Sequence, residues 1–256
     1  MITLTVLGSG TVAPTPDRTS PAHWVEAGPA RILFDCGAGT LHRAASFEVP
    51  WHQVTHLALT HFHPDHWGEL PAFLFALRWG VEPPRQDPLT LFGPVGLRDK
   101  LETLSAVFGE WITAPEFDLD IVELEPGSTT ALAEDVLLEC CKTPHTDESI
   151  AYSVRHAGQR LVYTGDTGES AKLAGWVTDC DLLLCECSLP EDRAVPLHLT
   201  PRQAGVLARE GRVRRLVLTH MYPVFGTTDP VAVASDEFSG EIVAARDGDR
   251  FTIEGP

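Results

Sequence analysis

The chain has 256 residues, of which 43% are apolar, so it can bury a large core and wholesale disorder is excluded. Its 36 acidic and 19 basic residues give a formal net charge of −17, which argues against a general nucleic-acid binder because such a surface repels phosphate backbones. No apolar run reaches the roughly 18 residues of a membrane span, and the chain does not start with a signal-peptide pattern. We therefore expect a cytoplasmic protein whose six cysteines are reduced.

Short apolar runs separated by turn residues predict strands and helices in alternation. The predicted strands span residues 2–7, 22–27, 30–35, 56–60, 89–92, 117–123, 128–133, 136–143, 149–156, 159–164, 182–185, 214–218, 242–244 and 251–253. The predicted helices span residues 68–80, 96–108 and 201–210. This alternation predicts a layered α/β fold, and because no long linker interrupts it, we expect one domain over residues 1–256.

The predicted helix 68–80 has almost no polar face. Apolar side chains occupy nearly every position of its Leu-Pro-Ala-Phe-Leu-Phe-Ala-Leu-Arg-Trp core. A helix that is apolar all round is buried on both sides. Two interpretations follow: an interior helix, or the interface of a homodimer.

The strongest chemical signal is the run Thr60-His61-Phe62-His63-Pro64-Asp65-His66, which follows the apolar strand 56–60. Its three imidazoles and one carboxylate are costly to bury unless something binds them. Imidazole suits zinc, iron and nickel, and a carboxylate adds compensating negative charge. His61 and His63 project to one side of an extended segment, whereas Asp65 and His66 follow a proline-induced turn and can face a second ion. We therefore predict a metal site in this loop.

Three further candidate ligands come directly after apolar strands. His145 closes the strand 136–143, Asp166 follows the hairpin strand 159–164, and His220 follows the strand 214–218. Open α/β sheets build their sites at such strand ends. Singly, each residue is more typical of a turn or a cap. Together with the first loop they supply five His and two Asp, enough for two ions that share one bridging ligand.

The H-x-H-x-D-H run with a later His, Asp and His resembles the metallo-β-lactamase superfamily, and the similarity spans the chain. The resemblance implies a single-domain α/β fold, a four-layer αββα sandwich with two divalent metal ions at one edge of its sheets. Zinc is the expected metal, with manganese or iron as alternatives. The implied ligands are His61, His63 and His145 for the first ion, Asp65, His66 and His220 for the second, and Asp166 as the bridge.

Glu186, in Cys185-Glu186-Cys187-Ser188, and His198, in Leu197-His198-Leu199-Thr200, are similar to an extra Glu and His of the ribonuclease Z-like phosphodiesterase branch. On its own, Glu186 is compatible with a solvated strand end and His198 with the neighbour of a helix cap. Their placement between Asp166 and His220 favours function. The resemblance implies that a zinc-activated hydroxide attacks phosphorus. His198, oriented by Glu186, would then stabilise the charge or donate a proton, and Asp65 would shuttle the nucleophile's proton.

One departure from this branch concerns tRNA. In tRNA-processing members, a long arm that grips tRNA is inserted between the third His and the bridging Asp. Here the interval between His145 and Asp166 is nearly filled by the predicted hairpin 149–164. Together with the acidic surface, this predicts a small phosphodiester substrate and disfavours tRNA. We expect no membrane partner. A lactonase or thioesterase of the same superfamily is the alternative, because the same cradle can direct water at a carbonyl carbon. A zinc-storage protein would need a closed coordination sphere instead.

Overall fold

Two mixed β-sheets of seven strands each form the centre of the computed structural model, which describes residues 1–254. The first sheet contains β1 (Ile2–Gly8), β2 (Ala22–Ala27), β3 (Ala30–Phe34), β4 (His56–Ala58), β5 (Leu89–Pro94), β6 (Leu119–Leu124) and β14 (Arg250–Ile253). The second sheet contains β7 (Thr129–Ala133), β8 (Val136–Lys142), β9 (Ile150–His156), β10 (Gln159–Tyr163), β11 (Leu182–Glu186), β12 (Arg215–Thr219) and β13 (Glu241–Ala244). The α-helices of the same residues are α1 (Thr40–Ser46), α2 (Pro64–Trp67), α3 (Leu70–Trp79), α4 (Leu97–Phe108), α5 (Ala171–Trp176), α6 (Pro201–Glu210) and α7 (Pro230–Ser235).

Alternating side chains on the strands face two different layers. In β3, Ile32 and Phe34 are buried between the two sheets, while Leu33 packs into the core under the outer helices. In β11, Leu182 and Leu183 divide between the inner and outer cores in the same way. Because successive side chains of a strand point to opposite faces, strands buried on both faces need a helical layer outside each sheet. The predicted four-layer αββα sandwich is therefore confirmed, and the shared inner core makes residues 1–254 one domain.

Each sheet contains a run of four parallel strands, and these runs determine where the loops with the candidate ligands lie. Strands β3 to β6 run parallel in the first sheet, and strands β10 to β13 run parallel in the second. The carboxyl ends of parallel neighbours meet at one edge of a sheet. The loops after β4, β10, β11 and β12 therefore leave the two sheets at the carboxyl-end edge that both sheets share.

Helix α3 corresponds to the predicted helix 68–80, but it is not surrounded on all sides as an interior helix would be. Its buried side chains are Leu70, Phe73, Leu74 and Leu77. Phe75 and Trp79 are each 49% exposed. The interior-helix interpretation is therefore wrong, because an apolar residue count does not show which side lacks a neighbour. The homodimer interpretation stays a prediction.

Four short helices, α1, α2, α5 and α7, were absent from the sequence prediction. Each has seven residues or fewer, which is too short for a clear helical period. Two of them nevertheless carry a start signal, since Ser170 caps α5 by accepting the N–H of Leu173 and Asp229 caps α7 by accepting the N–H of Val231. None of the helices within residues 1–254 combines the length and hydropathy that crossing a membrane requires.

Candidate metal centre

The segment from His61 to His66 forms the loop after β4 and the start of α2. His63 is the N-cap residue with an extended backbone, and Pro64 occupies the first turn, where its fixed φ suits a helix start. This turn folds the segment back on itself, so the ring centroid of His61 lies 4.6 Å from that of His63 and 4.1 Å from that of His66. The predicted proline turn is thus one turn of helix, and it gathers the imidazoles of the segment into one cluster.

Asp166 lies at the centre of this cluster, in the loop after β10. Its Oδ1 atom is 3.2 Å from Nε2 of His66 and 3.3 Å from Nε2 of His220. Its Oδ2 atom is 3.5 Å from Nε2 of His145 and 3.8 Å from Nε2 of His61. One carboxylate therefore faces two separate groups of ring nitrogens, one with each oxygen.

Each of these two groups is compact enough to surround an ion. On one side, Nδ1 of His63 lies 3.1 Å from Nε2 of His145. On the other, Nε2 of His220 lies 3.3 Å from Nε2 of His66 and 3.5 Å from Oδ2 of Asp65. The structure thus brings together all seven predicted ligands. Within each of the following sets the ligand atoms lie within 4.8 Å of one another: His61, His63, His145 and Asp166; and Asp65, His66 and His220.

The donor atoms of these groups fit divalent metal ions. Nε2 of His61 and Oδ1 of Asp166 are buried without a hydrogen-bond partner among residues 1–254, which is costly unless an ion satisfies them. Burial holds the pKa of His61 well below its usual value, so its ring is neutral and its lone pair is free. Burial alone would raise the pKa of Asp166, but the charges of His220 and His66 outweigh it and hold that pKa well below its usual value. An imidazole with a free lone pair and an ionised carboxylate are both ligand types that divalent metals use.

Asp35, directly after β3, supports this cluster from behind. Its Oδ1 accepts the N–H of Thr60 at 2.8 Å, and its Oδ2 accepts the hydroxyl of Tyr163 at 2.8 Å and lies 2.8 Å from Nδ1 of His66. Asp35 is fully buried, with a φ of 54°, a region that non-glycine residues rarely adopt. These contacts fix the His66 ring with Nε2 toward Asp166. Asp35 was not among the predicted site residues, although its position at the end of an apolar strand was a usable signal.

The predicted Glu186 and His198 pair is formed beside Asp166, with the His198 ring 4.8 Å from that of His145 and 5.7 Å from that of His220. Nδ1 of His198 lies 3.0 Å from Oε1 of Glu186 and 4.0 Å from Oδ2 of Asp166. Glu186 is fully buried at the end of β11 and also accepts the backbone N–H groups of Thr167 and Leu199. Burial lowers the pKa of His198, but the hydrogen bond and charge of Glu186 outweigh it and raise that pKa. The pair therefore favours the protonated form of the imidazole beside the cluster.

Ser188 is a second site residue that was not predicted from the sequence. Its hydroxyl contacts a carboxylate oxygen of Glu186 and lies 2.8 Å from Nδ1 of His220 and 3.2 Å from Nδ1 of His198. Its backbone C=O accepts the N–H of Tyr222, so the loops after β11 and β12 are tied together. Ser188 thus connects the Glu186–His198 pair to the metal ligand His220.

Two glycines allow the ligand loops to approach each other. Gly165 has a φ of 55°, and a Cβ there would lie 2.8 Å from the Thr60 side chain. A Cβ on Gly37 would lie 2.0 Å from the backbone oxygen of Asp65. A larger residue at Gly165 would push its loop away from Thr60, and one at Gly37 would push its loop away from Asp65. Either change would open the cluster.

A His/Asp cluster suited to divalent metal at the shared edge of an αββα sandwich is the site of a metal-dependent hydrolase. The chain belongs to the β-lactamase superfamily, in its metallo-β-lactamase, ribonuclease Z-like branch, since the family model described as "Beta-lactamase superfamily domain" matches residues 30–221. Ribonuclease Z of Mycobacterium avium is 30% identical, and the match covers 100% of both chains. The crystal structure of human tRNase Z, short form, is 26% identical with a TM-score of 0.81, covering 98% of this chain and 99% of that one. The metallo-β-lactamase fold protein YhfI from Bacillus subtilis shares the fold, with a TM-score of 0.84 at 22% identity and 98% of each chain covered.

Proposed function

We propose that this hydrolase cleaves small phosphodiesters. The observation that carries the proposal is the Glu186–His198 pair, whose Nδ1 lies 4.0 Å from Oδ2 of Asp166. Hydrolysis of a phosphodiester places negative charge on the phosphoryl oxygens and on the leaving alkoxide. A protonated imidazole beside the reacting group stabilises that charge and can protonate the leaving oxygen. Lactone and thioester hydrolysis does not need this pair.

We infer that the cluster holds two divalent ions. The residues that would hold them are His61, His63 and His145 on one side, Asp65, His66 and His220 on the other, and Asp166 between them. When bound, such ions lower the pKa of a water and polarise a phosphoryl oxygen. Zinc is favoured by the His-rich donor set, and manganese and iron are the alternatives.

The roles of the protein's own groups follow from their hydrogen bonds. Because Nδ1 of His198 faces Glu186 at 3.0 Å, its Nε2–H is left to contact substrate. The side chain of His198 is 17% exposed, so it is accessible from the mouth of the site. Asp65, whose side chain is 10% exposed, contacts the cluster through Oδ2 and is placed to accept the proton of the attacking water. His198 and Asp65 thus divide the proton transfers between leaving group and nucleophile.

The interval between His145 and Asp166 favours a small substrate over tRNA. Strands β9 and β10 pair as a hairpin and take up most of the interval between His145 and Asp166. The net charge of −17 adds long-range repulsion of a large polyanion. A small phosphodiester would avoid most of this repulsion, because it would contact mainly the metal cluster, where bound divalent ions would supply local positive charge.

The test is a parallel assay of the zinc-loaded protein on bis(p-nitrophenyl) phosphate, a lactone and a thioester. We expect kcat/KM to be largest for the phosphodiester. A clear preference for the lactone or the thioester would overturn the proposal in favour of the alternative hydrolase class, without changing the assignment of the chain to its superfamily.

We also propose a cytoplasmic location. All six cysteines are unpaired and buried, which supports a compartment that keeps thiols reduced. Fractionation of the native source, followed by immunodetection in the cytosolic and membrane fractions, tests this.

We further propose a homodimer through an aromatic cluster formed by Phe75 and Trp79 of α3 and Trp111 of the segment after α4. The ring centroids of Phe75 and Trp79 are 4.3 Å apart, and those of Phe75 and Trp111 are 5.2 Å apart. Two exposed aromatic rings, Phe75 and Trp79, that stand against a partly buried third are typical of an interface core. We expect Trp79→Glu to shift the molar mass in light scattering from dimer to monomer, while Leu137→Glu, at an exposed apolar residue elsewhere, leaves it unchanged. A wild-type protein that is monomeric at high concentration would contradict the proposal.

A further inference from the structure

Lys142, the last residue of β8, is a half-buried lysine that the chemistry derived above does not use. It pairs with Ile150 across the antiparallel strands β8 and β9, so residues 143–149 form the loop between these strands. This loop carries the candidate ligand His145. Lys142 therefore places a positive charge at the start of a loop that supplies a ligand.

The loop 143–149 surrounds the side-chain nitrogen of Lys142. Nζ of Lys142 donates to the backbone oxygen of Thr143, to that of Thr146 at 2.6 Å and to that of Ser149 at 3.3 Å. Three carbonyl acceptors use three N–H groups, and the protonated amine is the form of lysine that has three. Hydrogen bonds from a charged donor are roughly twice as strong as neutral ones. One atom thus contacts the beginning, the middle and the end of the loop.

The carbonyl groups of this loop need a cation where they converge. Their oxygens carry partial negative charge and would repel one another if nothing positive lay between them. Burial lowers the pKa of Lys142, and the charges of Glu148 and Asp147 in the same loop oppose this effect. Carbonyl oxygens are also typical ligands of hard cations. The backbone conformation of the loop therefore depends on a positive charge, and Lys142 supplies it.

The same loop contacts two other parts of the candidate metal centre. Oγ1 of Thr143 donates to the backbone oxygen of Asp166 at 3.0 Å. Nδ1 of His145 lies 3.0 Å from the backbone oxygen of Leu197, and Nε2 of His145 lies 3.5 Å from Oδ2 of Asp166. A change in the backbone of the loop would therefore move the imidazole of His145 relative to the carboxylate that it faces.

We propose that Lys142 is a positioning residue whose ammonium fixes the loop 143–149 so that His145 faces Asp166. The inference rests on the metal centre proposed above and gives Lys142 no contact with substrate. Positioning and long-range charge predict opposite signs. A lysine charge repels a nearby divalent ion, so charge alone predicts that removal of the ammonium strengthens zinc binding. Positioning predicts that its removal weakens zinc binding.

The first experiment measures zinc affinity by competition with a chelator. Lys142→Ala should weaken zinc binding by about 10- to 100-fold, the range for groups that orient a metal ligand. Lys142→Met keeps the aliphatic stem but not the ammonium, and it should weaken zinc binding by a similar factor. This variant separates the loss of the charge from the loss of packing by the stem.

The matched control is Lys172→Ala, which removes an exposed lysine of α5. Burial raises the pKa of the Cys141 thiol, and the charges of Lys172 and Lys142 both oppose this effect. The two lysines therefore lie near the same group, but Lys142 alone donates to the carbonyls of the ligand loop among the hydrogen bonds of residues 1–254. We expect Lys172→Ala to leave zinc affinity unchanged or slightly higher.

The second experiment is chemical rescue of Lys142→Ala. Propylammonium supplies the atoms that this variant lacks, so we expect it to restore zinc affinity toward the wild-type value. Tetramethylammonium at the same concentration has no N–H group and should not restore it. Neither salt should restore Lys142→Met, whose side chain occupies the space. Zinc affinity of Lys142→Ala equal to or above that of the wild type, or a loss that propylammonium does not reverse, would overturn the inference.

The third experiment measures hydrogen exchange in the loop, with and without zinc. The N–H of Thr146 donates to Oγ of Ser149 at 3.0 Å, and the N–H of Ser149 donates to Oγ1 of Thr146 at 3.2 Å. We expect Lys142→Ala to speed the exchange of both amides and to leave the amides of β8 unchanged. Unchanged exchange at both amides, or an equal rise throughout β8 and β9, contradicts a local positioning role.

These measurements use no substrate, so failure of the proposed phosphodiesterase activity does not affect them. If the wild type binds no zinc, the proposed metal centre fails, and hydrogen exchange still decides whether Lys142 fixes the loop.

Discussion

The two sheets contribute to the metal cluster in different ways. The first sheet supplies His61, His63, Asp65 and His66 from one six-residue segment that folds back as a single helical turn. The second sheet supplies His145, Asp166 and His220 from three loops that are far apart in the chain. The first half is thus set by local sequence, and the second half is assembled only when β8, β10 and β12 align. An intact second sheet is therefore a condition for metal binding, whereas the first segment keeps its ligands near each other in any case.

The two halves also differ in what holds their imidazoles. His66 of the first half is oriented by a buried carboxylate, Asp35, at 2.8 Å from Nδ1. His220 of the second half is oriented by a neutral hydroxyl, Ser188, at the same distance. In both cases the Nδ1 contact leaves Nε2 toward Asp166. Hydrogen bonds to a charged partner are roughly twice as strong as neutral ones, so the first half is held more firmly.

The largest effect is expected at Asp166, which contacts imidazoles from both halves. Asp166→Ala removes the carboxylate whose two oxygens contact imidazoles of both halves, and it leaves those imidazoles without that negative charge in a buried cluster. We expect zinc content, measured by mass spectrometry after gel filtration, and phosphodiesterase activity to be lost together. Asp120→Ala, an exposed carboxylate on β6, is the control and should retain both. A variant at position 166 that keeps two ions per chain would show that this carboxylate is not needed to hold them.

A smaller effect is expected at His198, the proposed general acid, which is not one of the proposed metal ligands. His198→Ala removes the imidazole held by Glu186 but leaves the seven proposed ligands in place. We expect unchanged zinc content and a turnover about 10²–10⁴-fold lower, the range for loss of a general acid. Circular dichroism and metal analysis separate this result from unfolding.

Full phosphodiesterase activity of His198→Ala would remove the main support for the proposed reaction. Glu186→Gln provides a graded comparison, because it keeps a hydrogen-bond acceptor for Nδ1 of His198 but removes the charge that raises its pKa. We expect its turnover to lie between those of the wild type and His198→Ala.

The contrast between the halves also explains what could be predicted from sequence. The segment 61–66 was readable because its ligands are contiguous, and His145, Asp166 and His220 because each follows an apolar strand. Asp35 and Ser188 were not predicted as supports, since their roles depend on which ring nitrogens the folded sheets bring to them. The exposed side of α3 was not predictable for the same reason: apolar periodicity identifies a helix, but only packing shows which of its side chains lack a neighbour.

The smallest expected effect compares the two supports directly. Asp35→Asn keeps the shape of the side chain but removes the charge from its contact with His66, whereas Ser188→Ala removes a neutral hydroxyl beside His220. Loss of such a partner of a metal-binding imidazole typically costs about 10- to 100-fold in metal affinity. We expect Asp35→Asn at the upper end and Ser188→Ala at or below the lower end, measured by competition with a zinc chelator. Because Ser188 also contacts Glu186, its variant should lower turnover more than its small effect on zinc affinity accounts for. If Ser188→Ala weakened zinc binding as much as Asp35→Asn, the second half would be held as firmly as the first, and the difference between charged and neutral support would not govern the centre.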